Sequence, residues 1–250
     1  MLDMPHAGSG RAKGALRVAT YNVHSCVGTD RRHDPERILH VLKEIDADIL
    51  ALQEVGGYFI DGVEQAHFFE HRLGMKALMS PNMRRRQSEY GNLLLAKGEL
   101  GRHRLIELTV VPFEPRSALD CMVETPHGDV RVIAAHLGLF RGERRRQVKF
   151  IADVIAKRPH PFTVVMGDFN IFGAERAILQ QIGAPERLPK LRTFPSRYPL
   201  ISLDRIWTMP NAGLIQQHVH RTPLSRVASD HLPMVAEIVP VDELIAPAIF

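Results

Sequence analysis

The chain has 250 residues, 45% of them hydrophobic, and a formal charge of +4. That length and apolar content suit one sizeable globular domain, and the two cysteines, Cys26 and Cys121, lack C-x-x-C spacing, which excludes a disulfide framework. The opening residues carry no apolar signal core and no run is long enough to span a bilayer, so a reducing, cytoplasmic setting is expected, with at most a peripheral position at the inner membrane surface.

Residues 1–15 read as a flexible N-terminal tail, 16–239 as a single domain and 240–250 as a C-terminal tail. The first strand is expected over Leu16 to Asn22. Asp34-Pro35 then starts a helix, with Asp as the cap and Pro at the first helical position. Ile38, Val41, Leu42 and Ile45 supply its buried face. Asp48 to Val55 is a second apolar strand, and a helix around Val63 to Leu73 ends at Gly74. Strands follow near Lys76–Met79, Asn92–Ala96, Arg104–Val111, Ala118–Glu124 and Asp129–His136, the last two joined by a Pro126-His127-Gly128 turn. Arg144 to Lys157 is helical, Phe162 to Gly167 a strand and Glu175 to Ile182 a helix. Strands at Leu203–Thr208, Leu214–His220 and Met234–Ile238 close the chain. Hairpins mixed with helical crossovers suit two packed sheets with helices outside.

The strand ends repeatedly deliver acids, amides and histidines. Asn22 and His24 follow the first strand and Glu54 ends the second. His136, Asp168, Asn170 and Asp204 mark three later strands, and Asp230-His231 precedes the last. In Gly167-Asp168-Phe169-Asn170, alternation along an extended backbone puts Asp168 and Asn170 on one side and Phe169 on the other. Each residue alone has a structural explanation as a cap, turn or satisfied core residue; six such placements on one chain point to a site. The chemistry they suit is phosphoester hydrolysis, which demands positioning and charge neutralisation. A hard divalent cation needs only one or two protein carboxylates, and Glu54, emerging from an apolar strand, is the first candidate to hold it.

The segments TYN, LQE, AAHL, GDFN, LDRI and SDH, in this order between Arg17 and Glu237, resemble the metal-dependent endonuclease/exonuclease/phosphatase superfamily. That superfamily includes DNase I-like nucleases, exonuclease III-type abasic endonucleases, neutral sphingomyelinases and inositol polyphosphate 5-phosphatases. The resemblance implies a four-layer α/β sandwich, two packed mixed β-sheets flanked by helices. It implies Mg²⁺ or Mn²⁺ held by Glu54 and Asn22, and Asp168 as the base for the attacking water. Asn170 and His136 would contact water or phosphate, and Asp204 would assist the metal or the leaving group. Asp230 would brace His231, and a cationic His231 would stabilise charge on phosphorus, so activity should fall at alkaline pH.

Tyr90 and Asn92 are further candidates for phosphate binding, with core packing the other reading of Tyr90. Arg197 is a candidate substrate contact or a surface turn. Arg84-Arg85-Arg86 and the run from Arg141 to Arg146 read either as solvated surface or as a polyanion-facing rim, and Arg145 and Gln147, at a helix start where an anion would be welcome, are placed at the surface. His24 stands where abasic endonucleases carry an acid, and Ile201-Ser202-Leu203 replaces their aromatic before Asp204; the YNVH opening, Tyr90-Gly91-Asn92-Leu93-Leu94, Phe194-Pro195-Ser196-Arg197 and LDRIW together resemble most an uncharacterised bacterial branch. The expected partner is a phosphoester substrate, either nucleic acid, favoured by the basic balance, or a phospholipid headgroup. A monomer without stable membrane insertion is expected. Two competing readings are a non-catalytic binding module and a zinc hydrolase built on His24, His136 and His231.

Overall fold

The computed structural model describes residues 14–85 and 88–240. The C-terminal tail and most of the N-terminal one lie outside the described residues, as do the side chains of the arginine run at 84–86.

The chain opens with β1 (Leu16–Asn22), α1 (Pro35–Ile45) and β2 (Ile49–Gly56). A small hairpin, β3 (Phe59–Ile60) and β4 (Val63–Glu64), leads into α2 (Gln65–Leu73). Five strands follow: β5 (Lys76–Arg85), β6 (Ser88–Ala96), β7 (Leu100–Glu107), β8 (Ser117–Val123) and β9 (Val130–His136). Next come α3 (Arg141–Lys157), β10 (Thr163–Asp168) and a 3₁₀ stretch over Gly173–Ile182. The chain closes with β11 (Asp204–Met209), β12 (Leu214–Val219), α4 (Ser225–Ala228) and β13 (Met234–Ile238).

The strands form two mixed sheets, ordered β12-β13-β1-β2-β6-β5 and β11-β10-β9-β8-β7. In each, one central pair is parallel, β1 with β2 and β9 with β10, so four strands end at the same pole of the molecule. Alternation along each strand divides the apolar residues between layers. Val18, Ala51, Val132, Val164 and Ile206 fill the space between the sheets. Ala19, Leu50 and Leu52 pack outward on Ile38, Leu42 and Phe69 of α1 and α2. Ile133, Val165 and Trp207 pack outward on Val148 and Ile151 of α3 and on Leu179. The result is the four-layer sandwich, and burial on both faces explains why the strands read as near-continuous apolar runs.

Local chemistry sets the boundaries. The Asp34 side chain accepts the Arg37 amide at 2.9 Å and caps α1 as expected. Other elements depart from expectation. Val63 and Glu64 belong to the hairpin rather than to α2, and the Glu175–Ile182 helix is a longer 3₁₀ stretch. β5 runs six residues past Met79, through Pro81, because it is an edge strand and its register shifts between Pro81 and Met83. The basic run at 141–146 is also divided. Arg145 and Arg146 are exposed, whereas Arg144 is buried and ion-paired to Glu175 of the 3₁₀ stretch. Gln147 is buried rather than at the surface, accepting from the Gly138 amide at 2.8 Å and donating to the Leu108 carbonyl at 3.1 Å.

Far from the strand ends, Asp120 accepts from Arg104 at 2.8 Å and from Arg131 at 2.7 and 2.9 Å. Burial opposes its ionisation, but the two guanidiniums outweigh that and hold its carboxyl below the ordinary range. Asp120→Ala leaves a buried guanidinium without its anion and should cost about 3–5 kcal/mol, read by urea unfolding. Because the folded pKa is depressed, the wild-type contribution is present above about pH 4 and is lost as the pH falls.

Candidate active site

The alternation that builds the inter-sheet core also builds the site. Asn22 lies in phase with Val18, His136 with Val132, Asp168 with Val164 and Asp204 with Ile206, so each faces the space between the sheets at its strand's end. All four are buried. Asp168 pairs in register with His136 on one side and Asp204 on the other. Gly167 allows this close assembly: a Cβ there would sit 1.9 Å from the Ala135 carbonyl oxygen.

Glu54 arrives by a different route. Simple alternation puts it in phase with Leu50 and Leu52, on the helix-facing side. The register with β6 shifts between Leu52 and Val55, and Glu54 adopts φ 59°. This bulge turns the carboxylate toward β1, where the Asn22 Nδ2 donates to Glu54 Oε1 at 2.9 Å. Asn170 also takes a left-handed conformation, φ 52°, with its amide donating to Asp168 Oδ1 at 3.0 Å. Unfavourable backbone at both positions, on the order of 1–3 kcal/mol each, is the kind of strain that accumulates at functional sites.

Asp168 Oδ2 is the hub. It accepts from Asn22 Nδ2 at 3.1 Å and lies 3.7 Å from the Nε2 of both His136 and His231. Asn170 Nδ2 donates to the Leu137 carbonyl at 2.9 Å and lies 3.4 Å from His136 Nε2. His231 Nδ1 pairs with Asp204 Oδ2 at 2.9 Å, and the Phe194 ring packs on its imidazole at 4.9 Å.

The expected partner of His231 is therefore corrected. Asp230 is adjacent in sequence, but its side chain is part-exposed and faces His24, 3.9 Å away. Extended backbone sends neighbouring side chains to opposite sides. Asp204, expected to serve the metal or the leaving group, holds the imidazole through Oδ2 and keeps Oδ1 buried and without a hydrogen bond.

The remaining candidates separate. The buried Tyr90 donates to Glu54. Asn92 is buried and donates to the Ser117 carbonyl at 2.8 Å, a structural bond. Arg197 is an exposed loop residue stacked on Tyr198, and its carbonyl accepts from Arg226; it makes no contact with the Asp168 cluster. The three-histidine arrangement does not form: His24 is nearly half exposed and turns to the Val27 carbonyl, while Glu54 points at Asn22.

One residue of the site has no distinctive sequence signal. Arg116, at the entry to β8, is buried with its Nη1 3.4 Å from His136 Nδ1. A lone Arg ahead of an apolar strand is the only hint of it. Since guanidinium can only donate, this contact assigns the acceptor role to Nδ1 and the proton to Nε2, which faces Asp168.

Electrostatics differentiate the groups. Burial drives His136 down to about 3, and the positive Arg116 adds to this, so the imidazole is neutral. Burial also disfavours charge on His231, but Asp204 and Asp168 overcome it and lift His231 to about 10. Burial raises Asp168 to about 6, against the opposing pull of His231. Burial resists ionisation of Glu54 as well, yet it lies at about 2, lowered by His136, Asn22 and Tyr90. With His136 neutral, the hydrogen bonds from Asn22 and Tyr90 do this work near neutral pH.

The cluster therefore sets three carboxyl groups, those of Glu54, Asp168 and Asp204, against one imidazolium, an acidic excess that fits a hard divalent cation. Asp168, Asp204 and His231 place possible ligand atoms within 4.8 Å of one another, and Asp204 Oδ1 is buried without a hydrogen bond. An imidazolium offers no lone pair, so the better donors are the carboxylate oxygens of Glu54, Asp168 and Asp204; Asn22 turns its NH2 toward Glu54 and Asp168, and its Oδ1 accepts from the His24 amide at 3.1 Å, so it would ligate only with its amide reversed.

A two-sheet sandwich carrying a carboxylate–imidazole cluster at one pole defines a class of phosphoester-processing folds. The chain matches the Endonuclease/Exonuclease/phosphatase family over residues 19–231 and belongs to it. It is 27% identical to the uncharacterized protein YbhP of Escherichia coli, the match covering 90% of this chain and 96% of that protein. It is similar to the crystal structure of an endonuclease/exonuclease/phosphatase from Beutenbergia cavernae, with TM-score 0.72 and 21% identity over 90% of this chain and 72% of that one. It is also similar to D. rerio TDP2 complexed with single strand DNA product, with TM-score 0.65 and 15% identity over 89% and 98% of the two chains.

Proposed function

We propose that this protein is a divalent-metal-dependent hydrolase of phosphoester bonds, a phosphodiesterase of the nuclease type, acting as a monomer in the cytoplasm through a domain spanning residues 16–239. The observation that supports this reading is the gathering of Asn22, Glu54, His136, Asp168, Asn170, Asp204 and His231, from six strand ends, into one linked cluster centred on Asp168. The set is complete within one chain.

Glu54 would hold Mg²⁺ or Mn²⁺, with an oxygen of Asp168 adjoining and Asn22 adding its oxygen once its amide is turned from the His24 amide. When bound, the cation polarises a phosphoryl oxygen and offsets the charge that grows in the transition state. Asp168 takes the proton of the attacking water, and a pKa near neutrality suits that task. His231, held as imidazolium by Asp204, donates Nε2–H to a phosphoryl oxygen. His136 donates its Nε2–H to another, with Asn170 completing the contact. Tyr90 and Arg116 act through their neighbours, by holding Glu54 and by setting the His136 tautomer. Asp230, Asn92 and Arg197 have no direct part.

Support for a nucleic acid substrate comes from the basic balance of the chain and from the DNA-bound relative of the same fold. Support for a lipid-borne phosphoester comes from the surface around the site, argued below.

The test is a panel of soluble phosphomonoesters and phosphodiesters, oligonucleotides and phospholipids, assayed with Mg²⁺ and with Mn²⁺ beside Asp168→Ala. Metal-dependent turnover of at least one, absent in the variant, is expected; turnover equal in the variant refutes the assignment. Glu54→Ala should raise the metal concentration for half-maximal rate by roughly 10–100-fold or more. Rate at saturating Mg²⁺ should rise with pH as Asp168 ionises, at or below about pH 6, and fall as His231 loses its proton near about pH 10. A rate still climbing beyond that upper limit would contradict a cationic His231.

A further inference from the structure

Twelve large apolar side chains are exposed among the described residues, and they are not spread evenly. Leu105, Phe150 and Ile215 lie in β7, α3 and β12. The other nine lie at the pole where β1, β2, β9 and β10 end and β8, β11 and β13 begin, the pole of the Asp168 cluster: six on connections, and Phe59, Val63 and Val227 in the short β3–β4 hairpin and α4. Leu139 and Phe140 follow His136, and Phe172 follows Asn170. Leu200 precedes Asp204, Val111 lies ahead of β8, and Phe59 tips the hairpin after Glu54. Such a concentration of apolar surface around a polar site marks an interaction face.

Cations are interleaved with these side chains. Arg31 and Arg32 after β1, Arg141 at the start of α3, and Lys190, Arg192 and Arg197 ahead of β11 are exposed, against the exposed acids Asp30, Asp61 and Glu186. Asp30 is neutralised by Arg37 at 2.8 Å. Between Phe172 and Leu200 lies a depression of about 310 Å³ whose other walls include Arg176, Lys190, Arg192 and Arg205. Arg205 is buried there with its Nε unpartnered, one residue from Asp204.

We propose that this pole docks on an anionic phospholipid bilayer and presents lipid-borne phosphoesters to the Asp168 cluster. Phe and Tyr rings settle at headgroup depth, aliphatic tips reach the acyl boundary, and the surrounding cations meet anionic headgroups. The depression lined by Arg205 suits a second phosphate of the same surface. A single-stranded nucleic acid would exploit the cations and the rings, but it gives no reason for exposed aliphatics, which have no π-face for a base to stack on. Val111 is 84% exposed, Leu139 65% and Leu200 68%. No helix among the described residues is long and apolar enough to cross a membrane, so the attachment is peripheral.

This inference rests on the phosphoester-hydrolase reading, and two assays separate them. Hydrolysis of the soluble diester bis(p-nitrophenyl) phosphate with Mg²⁺ tests the hydrolase alone. Flotation with vesicles of phosphatidylglycerol and phosphatidylcholine, against phosphatidylcholine alone, tests the docking. The wild-type protein should float with the anionic vesicles and be released by salt. Leu139→Ser/Phe140→Ser, and separately Leu200→Ser on another loop, should weaken partitioning about tenfold or more at unchanged soluble-diester rate. Leu105→Ser, off this pole, should bind as wild type does. Equal binding to both vesicle types, no binding, or unchanged binding by both pole variants overturns the docking. So does loss of oligonucleotide binding in those variants without any vesicle binding in the parent. Vesicle binding by a protein that is inert on the soluble diester and on every lipid would retain the surface and remove the hydrolase.

Discussion

Asp168→Asn should lower the turnover rate roughly 10²–10⁴-fold, the range lost with a general base. The amide keeps the shape of the carboxylate, and its one oxygen can still accept from the Asn170 amide while its NH2 replaces the oxygen that accepts from Asn22, so the pocket should stay assembled with one hydrogen bond fewer. What disappears is the acceptor for the water's proton. Stability should move in the opposite direction. Burial raises the Asp168 pKa to about 6, so near neutral pH the folded state carries an anion that the unfolded chain solvates better. Removing that anion relieves the penalty, and the urea midpoint should hold or rise while activity collapses. A variant of unchanged rate and lowered midpoint would make Asp168 a structural residue.

His231→Gln should have the second-largest effect, a loss of roughly 10²–10³-fold, comparable with removal of one preorganised donor to an oxyanion. Glutamine can still donate to Asp204, so the loss reflects charge more than collapse. Half-saturation by Mg²⁺ should change little, in contrast to Glu54→Ala. The descending limb near pH 10 should vanish, because the proton that titrates there belongs to the imidazole held by Asp204 and Asp168. A variant that keeps the limb at its wild-type position would place the alkaline group elsewhere. A large rise in metal requirement would make His231 part of the cation site.

Much of the architecture was legible from periodicity. The first strand, Leu16–Asn22, has the expected bounds because it is apolar on both faces and stops at a polar pair. The start of α1 was legible because Asp34-Pro35 leaves few alternatives. That Asn22, His136, Asp168 and Asp204 stand at strand ends also follows from the sequence, since each interrupts an apolar run. Their pairing does not. Asp230 is next to His231 in the chain, yet Asp204, from another sheet, holds its imidazole, and no local pattern carries that information. Alternation alone would put Glu54 on the wrong face; a register shift against β6 redirects it, and bulges leave little trace in sequence. Arg144 illustrates the converse. A run of like charges reads as solvated surface, but Glu175 lies far off in sequence and draws one member into the interior. The apolar pole was likewise hidden, because its side chains come from separate loops and form no amphipathic period.

The proposed chemistry requires a divalent cation lying between Glu54 and Asp168. Anomalous diffraction from crystals grown with Mn²⁺ locates it directly. The expected result is a peak bounded by the carboxylate oxygens of Glu54 and Asp168 beside Asn22, absent in crystals of Glu54→Ala. Manganese bound elsewhere, with this cluster empty, or a peak unchanged by that substitution, would contradict the account.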